Sequence, residues 1–313
     1  MSADPHRSHE LLARGIPRAV VGCWIGLLVL AAGCQLTGRD GTVSRNVMKS
    51  RELSQVGISA LDRGDTPEAE RLLAEAVDTC GSDPEARRYY AEALWQRGAR
   101  DAALEQLGTA VRLSTDDAPL FVRLAEMQLE LGRLEPAREN ADRAVDLDPH
   151  STSAWAVRAH IKEQMGQPRD ALSDYYRALA YEPNQTDTLL RVAELHRRLN
   201  EPQRALATLQ SLRELYPPGE EPPRVMLLMG LAAGALGRFD EAVRDFEIAR
   251  QRGDTSPDTL YLLADAQLRA GHPSQAQQLL DSLGTVAPQH AGYVRLANEL
   301  RLGRSQPAAN LAR

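Results

Sequence analysis

The chain has 313 residues, of which 43% are hydrophobic and only 4% aromatic, and its formal net charge is −6. This hydrophobic share excludes wholesale disorder, and the scarcity of aromatics beside abundant alanine, leucine, glutamate and arginine favours helices over strands. An acidic chain is a poor general ligand for phosphate backbones, so nucleic acid is not an expected partner.

The N-terminal segment has the pattern of a targeting signal. Residues 1–18 are polar and end in Arg14 and Arg18, and the fifteen residues 19–33 carry no charge. Such a run fits the apolar region of a signal peptide and is shorter than the ~20 residues that usually span a bilayer. Residues 30–34, Leu-Ala-Ala-Gly-Cys, resemble the lipobox of bacterial lipoprotein precursors. A retained membrane anchor and ordinary secretory cleavage are the alternatives.

The lipobox resemblance implies that residues 1–33 are removed and that Cys34 is acylated. Residues 34–49 would then form a flexible tether between the lipid and the folded body. Gln35, a non-Asp residue after the cysteine, favours the outer membrane over the inner one, with the body on the periplasmic side of a bacterial envelope. Cys80 is the one cysteine of the body and is interpreted as a small residue near a helix end.

The body repeats with a period of 34 residues. Turn-forming residues recur at this spacing, except for a step of 37 where Glu220, Glu221 and Pro222 are extra, and they are Gly64, Gly98, Gly132, Gly166, Asn200, Gly237 and Gly271. Glycine and asparagine tolerate the left-handed conformation that ends a helix, so a helix is expected to end at each position.

Small and large residues keep the same phase. An alanine follows each turn residue by five positions: Ala69, Ala103, Ala137, Ala171, Ala205, Ala242 and Ala276. Four positions later most units have a large residue to fill the space between hairpins: Leu73, Leu107, Tyr175, Leu209, Phe246 and Leu280. Prolines close several units, at Pro149, Pro183, Pro217 and Pro288, so each unit is a helix, a tight turn and a second helix.

This pattern resembles the tetratricopeptide repeat family over residues 50–303. The fold class expected is all-α, a right-handed solenoid of about seven helical hairpins, with units starting at Ser50, Pro84, Ala118, Thr152, Thr186, Pro223 and Pro257. Residues 291–303 would form a capping helix, and 304–313 a disordered tail. Stacking of neighbouring hairpins provides the core of such an array.

The family resemblance implies that the first helix of each unit lines a concave groove. The second, fifth, ninth and twelfth residues of a unit would face it, and the candidate partner-binding residues are Arg88, Glu92, Trp95, Glu126, His160, Glu194, Arg197, Leu227, Tyr261 and Asp265. This groove would be acidic and polar in the early repeat units and apolar in the sixth and seventh. This favours a partner segment with basic residues towards the early units. Packing of the apolar late residues against neighbouring helices is the equally weighted alternative.

No motif for catalysis, a metal or a cofactor is found: the sequence has no HExxH, GxSxG, P-loop or GxGxxG pattern. His160 and His196 lie on consecutive first helices and could meet, but two histidines make a weak metal site. The predicted function is a membrane-tethered, non-enzymatic scaffold that binds other proteins in assembly or regulation of an envelope complex, with no small-molecule substrate. A regulatory subunit of an envelope enzyme, or a cytosol-facing scaffold on an uncleaved anchor, are the alternatives.

Overall fold

The computed structural model describes residues 45–305, and in this range all regular structure is helical. The helices are α1 (45–62), α2 (Thr66–Thr79), α3 (Pro84–Arg97), α4 (Arg100–Leu113), α5 (Ala118–Glu130), α6 (Leu134–Leu147), α7 (Thr152–Gln164), α8 (Pro168–Tyr181), α9 (Thr186–Arg198), α10 (Pro202–Arg213), α11 (Pro223–Ala235), α12 (Phe239–Gln251), α13 (Pro257–Arg269), α14 (Pro273–Val286) and α15 (Ala291–Ser305). The predicted all-α class is confirmed, with seven hairpins followed by α15.

Local sequence signals explain where the helices start. Asp83 accepts hydrogen bonds from the backbone N–H groups of Glu85 and Ala86, and Pro84 occupies the first turn of α3, where no N–H donor is needed. Side chains of Asp117, Ser151 and Ser256 cap α5, α7 and α13 in the same way. The later first helices and α15 begin at the predicted positions, Pro84, Ala118, Thr152, Thr186, Pro223, Pro257 and Ala291.

The turn inside each hairpin requires a left-handed residue. The glycines of the 34-residue repeat all have positive φ, and Asn200 takes the same conformation at φ 59. An L-residue pays a steric penalty in this region that glycine avoids, and asparagine is the next best tolerated. The hairpin turns are therefore fixed by residue type at one position per unit.

The chain divides into two compact units, one ending at Ser114 and one beginning at Thr115. In the first unit, α1 packs on α2 through Ala60, Ala69 and Leu73, all fully buried. A Cβ on Gly57 would lie 2.7 Å from Cγ of Leu73, so the small residue in α1 makes room for the large one in α2. Close helix approach here depends on this small-to-large pairing.

The second unit has a series of apolar clusters between successive hairpins. Tyr175 of α8 packs with Val192 and Leu195 of α9, and Phe246 of α12 packs with Leu263 of α13. The residues predicted to fill the space between hairpins are all buried, as are the repeated alanines. Each hairpin buries its apolar face only against a neighbour, as expected for a repeat array.

One charged side chain is buried among these clusters. Asp174 of α8 is 3% exposed and accepts two hydrogen bonds from Arg158 of α7, from Nε at 2.8 Å and from Nη2 at 2.9 Å. Nζ of Lys162 lies 2.7 Å from the same carboxylate. A buried carboxylate is tolerated only when it is paired and hydrogen-bonded, so this cluster fixes α7 against α8.

The ends of the array differ from the prediction. Helix α1 is already formed at residue 45, so residues 45–49 are helical and not part of a flexible tether that ends at Lys49. Nζ of Lys49 lies 3.1 Å from a carboxylate oxygen of Glu75 in α2, which stabilises this extra turn. Helix α15 continues two residues past 303, to Ser305. The predicted signal peptide, Cys34 and residues 306–313 of the predicted tail lie outside the described residues.

Within residues 45–305, no helix combines the length and the apolar character needed to cross a membrane.

Candidate protein-binding groove

The second compact unit, which begins at Thr115, contains an open cavity of about 740 Å³ bounded by the first helices α5, α7 and α9. Its lining follows the repeat: Glu126 and His160 are ninth residues of their units, and Asp187 is a second residue. The structure therefore brings Glu126 and His160, both predicted groove residues, to one surface. We call this cavity the main groove.

The main groove has an apolar floor and carboxylates at its edges. Leu129, Leu134 and Val157 provide apolar surface. Glu130 at the end of α5 and Asp187 at the start of α9 are exposed. Such a surface can hold both the apolar part and the charged end of a long basic side chain.

Two of the charged side chains near the groove are already paired. Nη1 of Arg123 lies 3.0 Å from Glu126. The side chain of Glu163 is 8% exposed and accepts a hydrogen bond of 2.6 Å from Nη1 of Arg198, with Nη1 of Arg191 at 3.7 Å. Glu130 and Asp187 have no such basic neighbour among the described residues, so they carry the negative charge of the groove.

His160 lies in the middle of the main groove. Burial lowers its pKa, and the nearby charge of Arg191 lowers it further. The imidazole is therefore neutral at neutral pH and can both accept and donate a hydrogen bond. It adds no positive charge to oppose the carboxylates.

His196 is not a groove residue, and it does not meet His160. It is 1% exposed, with Nε2 lying 2.6 Å from Oη of Tyr176 in α8 and Nδ1 lying 2.7 Å from Oε2 of Glu201 at the start of α10. One partner belongs to the second helix α8 and the other is the N-cap residue of the second helix α10, so the ring is held inside the stack. Among residues 45–305 no group of three or more potential ligand residues is placed to hold a metal ion.

The first compact unit, which ends at Ser114, has its own cavity of about 450 Å³ between α1 and the start of α3. Arg51 and Ser54 line it from α1, and Glu85 lines it from α3. Arg88 and Glu92 of α3 are half-buried, and the guanidinium of Arg88 lies 5.1 Å from the ring centre of Tyr89.

The prediction that Trp95 faces a groove is wrong. Its side chain is 8% exposed and lies beneath the guanidinium of Arg100, whose Cζ is 4.0 Å from the ring centre. Arg100 also donates a hydrogen bond to the backbone oxygen of Trp95. The large ring folds into the hairpin, where burial of its apolar area is more favourable than exposure.

The remaining predicted groove residues of the second compact unit are divided between surface and core. Glu194 is paired with Arg224 of the next first helix, and Arg197 is exposed. Leu227 is half-buried and packs against the clusters on both sides of α11, which agrees with the packing alternative.

Helix α15 covers the last predicted groove residues. Arg295 of α15 donates a hydrogen bond to Oη of Tyr261, and the same guanidinium lies 3.4 Å from Asp265. The ring of His290 packs against Tyr261 with ring centres 5.1 Å apart. Ala291 lies 34 residues after Pro257, so α15 occupies the place of an eighth first helix. The prediction of a capping helix did not include its contacts with Tyr261 and Asp265.

Cys80, interpreted as a residue near a helix end, caps the C-terminus of α2. Its Sγ lies 3.6 Å from Oγ of Ser82.

Comparisons with known proteins agree with the repeat pattern. Models of the tetratricopeptide repeat match residues 94–161, 163–225 and 235–300, residues 57–119, and residues 223–244. A sequence comparison with curated proteins gave no match.

Solved structures share the fold at low sequence identity. YrrB, described as a tetratricopeptide repeat protein with an unusual peptide-binding site, aligns with a TM-score of 0.57 at 19% identity, covering 62% of this chain and 99% of its own. A tetratricopeptide repeat protein from Parabacteroides merdae also has a TM-score of 0.57, at 15% identity, covering 81% of this chain and 99% of its own. Because the repeat models match well over half of its length, the chain belongs to the tetratricopeptide repeat family.

Proposed function

We propose that the chain is a non-enzymatic scaffold that binds segments of partner proteins in the main groove. The observation that carries this proposal is the cavity between α5, α7 and α9, with an apolar floor and the exposed carboxylates of Glu130 and Asp187 at its edges. A repeat array that presents such a cavity on rigid helices can bind an extended segment with little ordering of its own backbone.

The charge of the groove defines the partner segment. Glu130 and Asp187 attract lysine or arginine, and the neutral His160 does not oppose them. Among the described residues that line the groove, Arg191 is the one basic residue, against the three carboxylates of Glu126, Glu130 and Asp187. Apolar surface from Leu129 and Val157 accommodates the methylene part of those side chains. Peptide binding by YrrB, a protein of the same fold, supports this use of the scaffold.

We further propose that the scaffold acts at a bacterial membrane as a lipoprotein. The support is the apolar run of 19–33 and the lipobox-like residues before Cys34. Two or more acyl chains, at ~0.8 kcal/mol per buried methylene, would hold the protein stably on the membrane. The partners would then belong to the envelope, where the scaffold would assemble or regulate a complex, with the outer membrane favoured.

Peptide selection tests the groove. Random peptides of roughly 16 residues, long enough to cross several first helices, are displayed on phage and selected on the full chain in detergent. Enriched peptides are expected to contain lysine or arginine. A labelled selected peptide should bind Glu130→Gln/Asp187→Asn about tenfold more weakly than the wild type, a change of ~1.4 kcal/mol.

The control variant removes two carboxylates elsewhere. Glu139 and Asp146 are exposed on the second helix α6. Glu139→Gln/Asp146→Asn has the same change in net charge and should leave the peptide affinity unchanged. Equal losses in both variants would show a non-specific charge effect and would contradict the groove.

Intact mass tests the anchor. Full-length protein produced in a Gram-negative host is expected to have the mass of a chain that begins at Cys34 and carries acyl chains, and to partition with membranes. Cys34→Ser should abolish acylation. A mass that retains Met1 would instead indicate an uncleaved anchor and a cytosol-facing scaffold, and a shorter, unacylated chain would indicate ordinary secretion.

A further inference from the structure

Helix α11 contains two glycines, four residues apart. Close packing requires glycine at one of these positions and not at the other. A Cβ on Gly230 would lie 2.6 Å from ring atoms of Phe246, so the hairpin needs glycine there. A Cβ on Gly234 would meet only Cβ of Ala242, at 3.9 Å, which is an ordinary contact. Packing therefore does not explain the glycine at 234, although glycine inside a helix is unfavourable.

A cavity of about 270 Å³ opens at Gly234, between α11 and α13. We call it the glycine notch. Leu231, Leu262 and Ala266 form its apolar walls. The twelfth position of the neighbouring units carries a side chain, with Leu129, Glu163, Arg197 and Leu268, so the notch exists because this side chain is missing at 234.

The glycine notch lies at the same repeat positions as the main groove. Leu231 is a ninth residue and Gly234 a twelfth residue of the sixth unit, the same positions as His160 and Leu129 in the main groove. Helices α9 and α11, which separate the two cavities, are in direct contact. A segment in the main groove can therefore extend along the first helices to the notch.

The charged side chains at the edge of the notch neutralise each other. Nε of Arg269 lies 2.7 Å from Asp265, and the guanidinium also lies over the ring of Phe239, with Cζ 5.9 Å from its centre. Arg295, which also contacts Asp265, lies 3.6 Å from the carboxylate of Glu299. Because these charges are balanced among themselves, a charged ligand side chain would lose its hydration in the notch without a partner. An apolar side chain is the occupant that fits.

We propose that the glycine notch binds one bulky apolar side chain, such as leucine, methionine or phenylalanine, of the same partner segment that places a basic side chain in the main groove. This inference rests on the proposed function. Packed helices lie roughly 8–10 Å apart, so two to three first-helix steps separate the sites by roughly 16–30 Å. An extended chain advances ~3.3 Å per residue, which puts the apolar residue about five to nine positions from the basic one.

Selected peptides give the first readout. Those enriched on the full chain should share a basic residue and an apolar residue at this spacing. Replacement of that apolar residue by alanine should weaken binding to the wild type about tenfold. A peptide in which this residue is photo-methionine should cross-link to α11 or α13.

A double-mutant cycle gives the second readout. Gly234→Leu fills the notch and should weaken the parent peptide about tenfold, while the alanine-substituted peptide should bind both proteins equally, since its side chain no longer enters the notch. Gly108→Leu in α4 is the matched control, because Gly108 is also a helical glycine with room for a Cβ, and it should leave affinity unchanged. Circular dichroism and thermal melting verify the fold of each variant.

The outcomes separate the two proposals. Loss of binding in Glu130→Gln/Asp187→Asn with unchanged binding in Gly234→Leu retains the proposed function and overturns the notch. Cross-links confined to α5, α7 and α9 overturn the notch as well, without any variant. A selection that enriches no peptide, or peptides whose binding ignores Glu130 and Asp187, overturns the proposed function and this inference with it.

Discussion

His196 and Glu201 close the turn between α9 and α10 with two hydrogen bonds. Nδ1 of His196 lies 2.7 Å from Oε2 of Glu201, and the backbone N–H of Glu201 donates to the carbonyl oxygen of His196 at 2.8 Å. Asn200 lies between them at φ 59, the one non-glycine residue with positive φ in residues 45–305. The unit that lacks the turn glycine thus has a side-chain clamp across its turn, and the seventh unit has a similar one between Gln267 and His272, 2.9 Å apart across Gly271.

The clamp makes stability depend on pH. The hydrogen bond from His196 lowers the pKa of Glu201 below its ordinary 4.5, and the charge of Arg204 lowers it further against the effect of desolvation. A lowered folded-state pKa contributes stability above pH 4.5 that is lost as the pH falls through the folded value. Glu201→Gln should therefore lower the midpoint of urea unfolding near neutral pH, and its difference from the wild type should shrink progressively as the pH falls below 4.5.

The control for this prediction is Glu139→Gln, which removes an exposed carboxylate of α6. Its unfolding midpoint should follow the wild type throughout. An equal midpoint for Glu201→Gln and the wild type near neutral pH would show that the hydrogen bond to His196 does not stabilise the fold.

Asn200 provides a direct test of turn chemistry. Asn200→Gly should retain or slightly raise stability, because glycine has no steric penalty at φ 59. Asn200→Ala should lower it by about 1 kcal/mol, since alanine is more strained than asparagine in the left-handed region. Thermal melts of both variants measure the difference, and an alanine variant as stable as the glycine variant would contradict it.

The two glycines of α11 should respond in opposite directions to the same substitution. Gly230→Ala should destabilise by about 1–3 kcal/mol, because the methyl group collides with the ring of Phe246. Gly234→Ala should stabilise by about 0.5–1 kcal/mol, because alanine favours the helix and the site has room. Urea unfolding curves of the two variants measure these changes in the free energy of unfolding. Changes of the same sign would mean that the space around each glycine does not determine the effect of the substitution.

Asp245 of α12 should destabilise the protein at neutral pH. Burial raises its pKa from 3.8 to about 6, opposed by the charges of Arg213 and Arg244 and assisted by Glu241. Because the folded state binds this proton more tightly, stability falls as the pH rises from 3.8 to about 6 and stays reduced above that. After allowance for partial solvent screening, Asp245→Asn should add about 1–2 kcal/mol near neutral pH.

The pH profile is the measurement for Asp245. Wild type and Asp245→Asn should have similar unfolding free energies below the ordinary pKa of 3.8 and diverge above about 6. A constant difference across this range would indicate a packing effect in place of ionisation.

The repeat was readable from sequence because one position per unit needs a residue that tolerates positive φ, which is glycine in six of the seven units and Asn200 in the other. The left-handed turns and the alanines at helix contacts recur in Gly98, Ala103, Gly132 and Ala137, so the period places helix starts such as Pro84 and Ala118 directly. The start of α1 was missed because residues 45–49 contain no turn residue that would stop the helix.

The exposed residues were harder to predict, because contacts with residues distant in sequence determine whether a side chain is buried or exposed. Trp95 occupies a predicted groove position, yet its ring is buried beneath Arg100. His196 is held by Tyr176 and Glu201, twenty and five residues away, a meeting that no local pattern encodes. Only the helix packing determines which of these side chains remain exposed.

The three extra residues before the sixth unit mark a place where the chain would accept foreign sequence. Residues 217–220 of this connection are exposed, whereas Arg252 donates a hydrogen bond of 2.7 Å to the backbone oxygen of Glu221 and holds the return of the chain to α11. An epitope or a fluorescent domain spliced in after Gly219 would leave that contact and both flanking hairpins untouched. The loop is therefore a suitable site for labelling the protein without interrupting a helix.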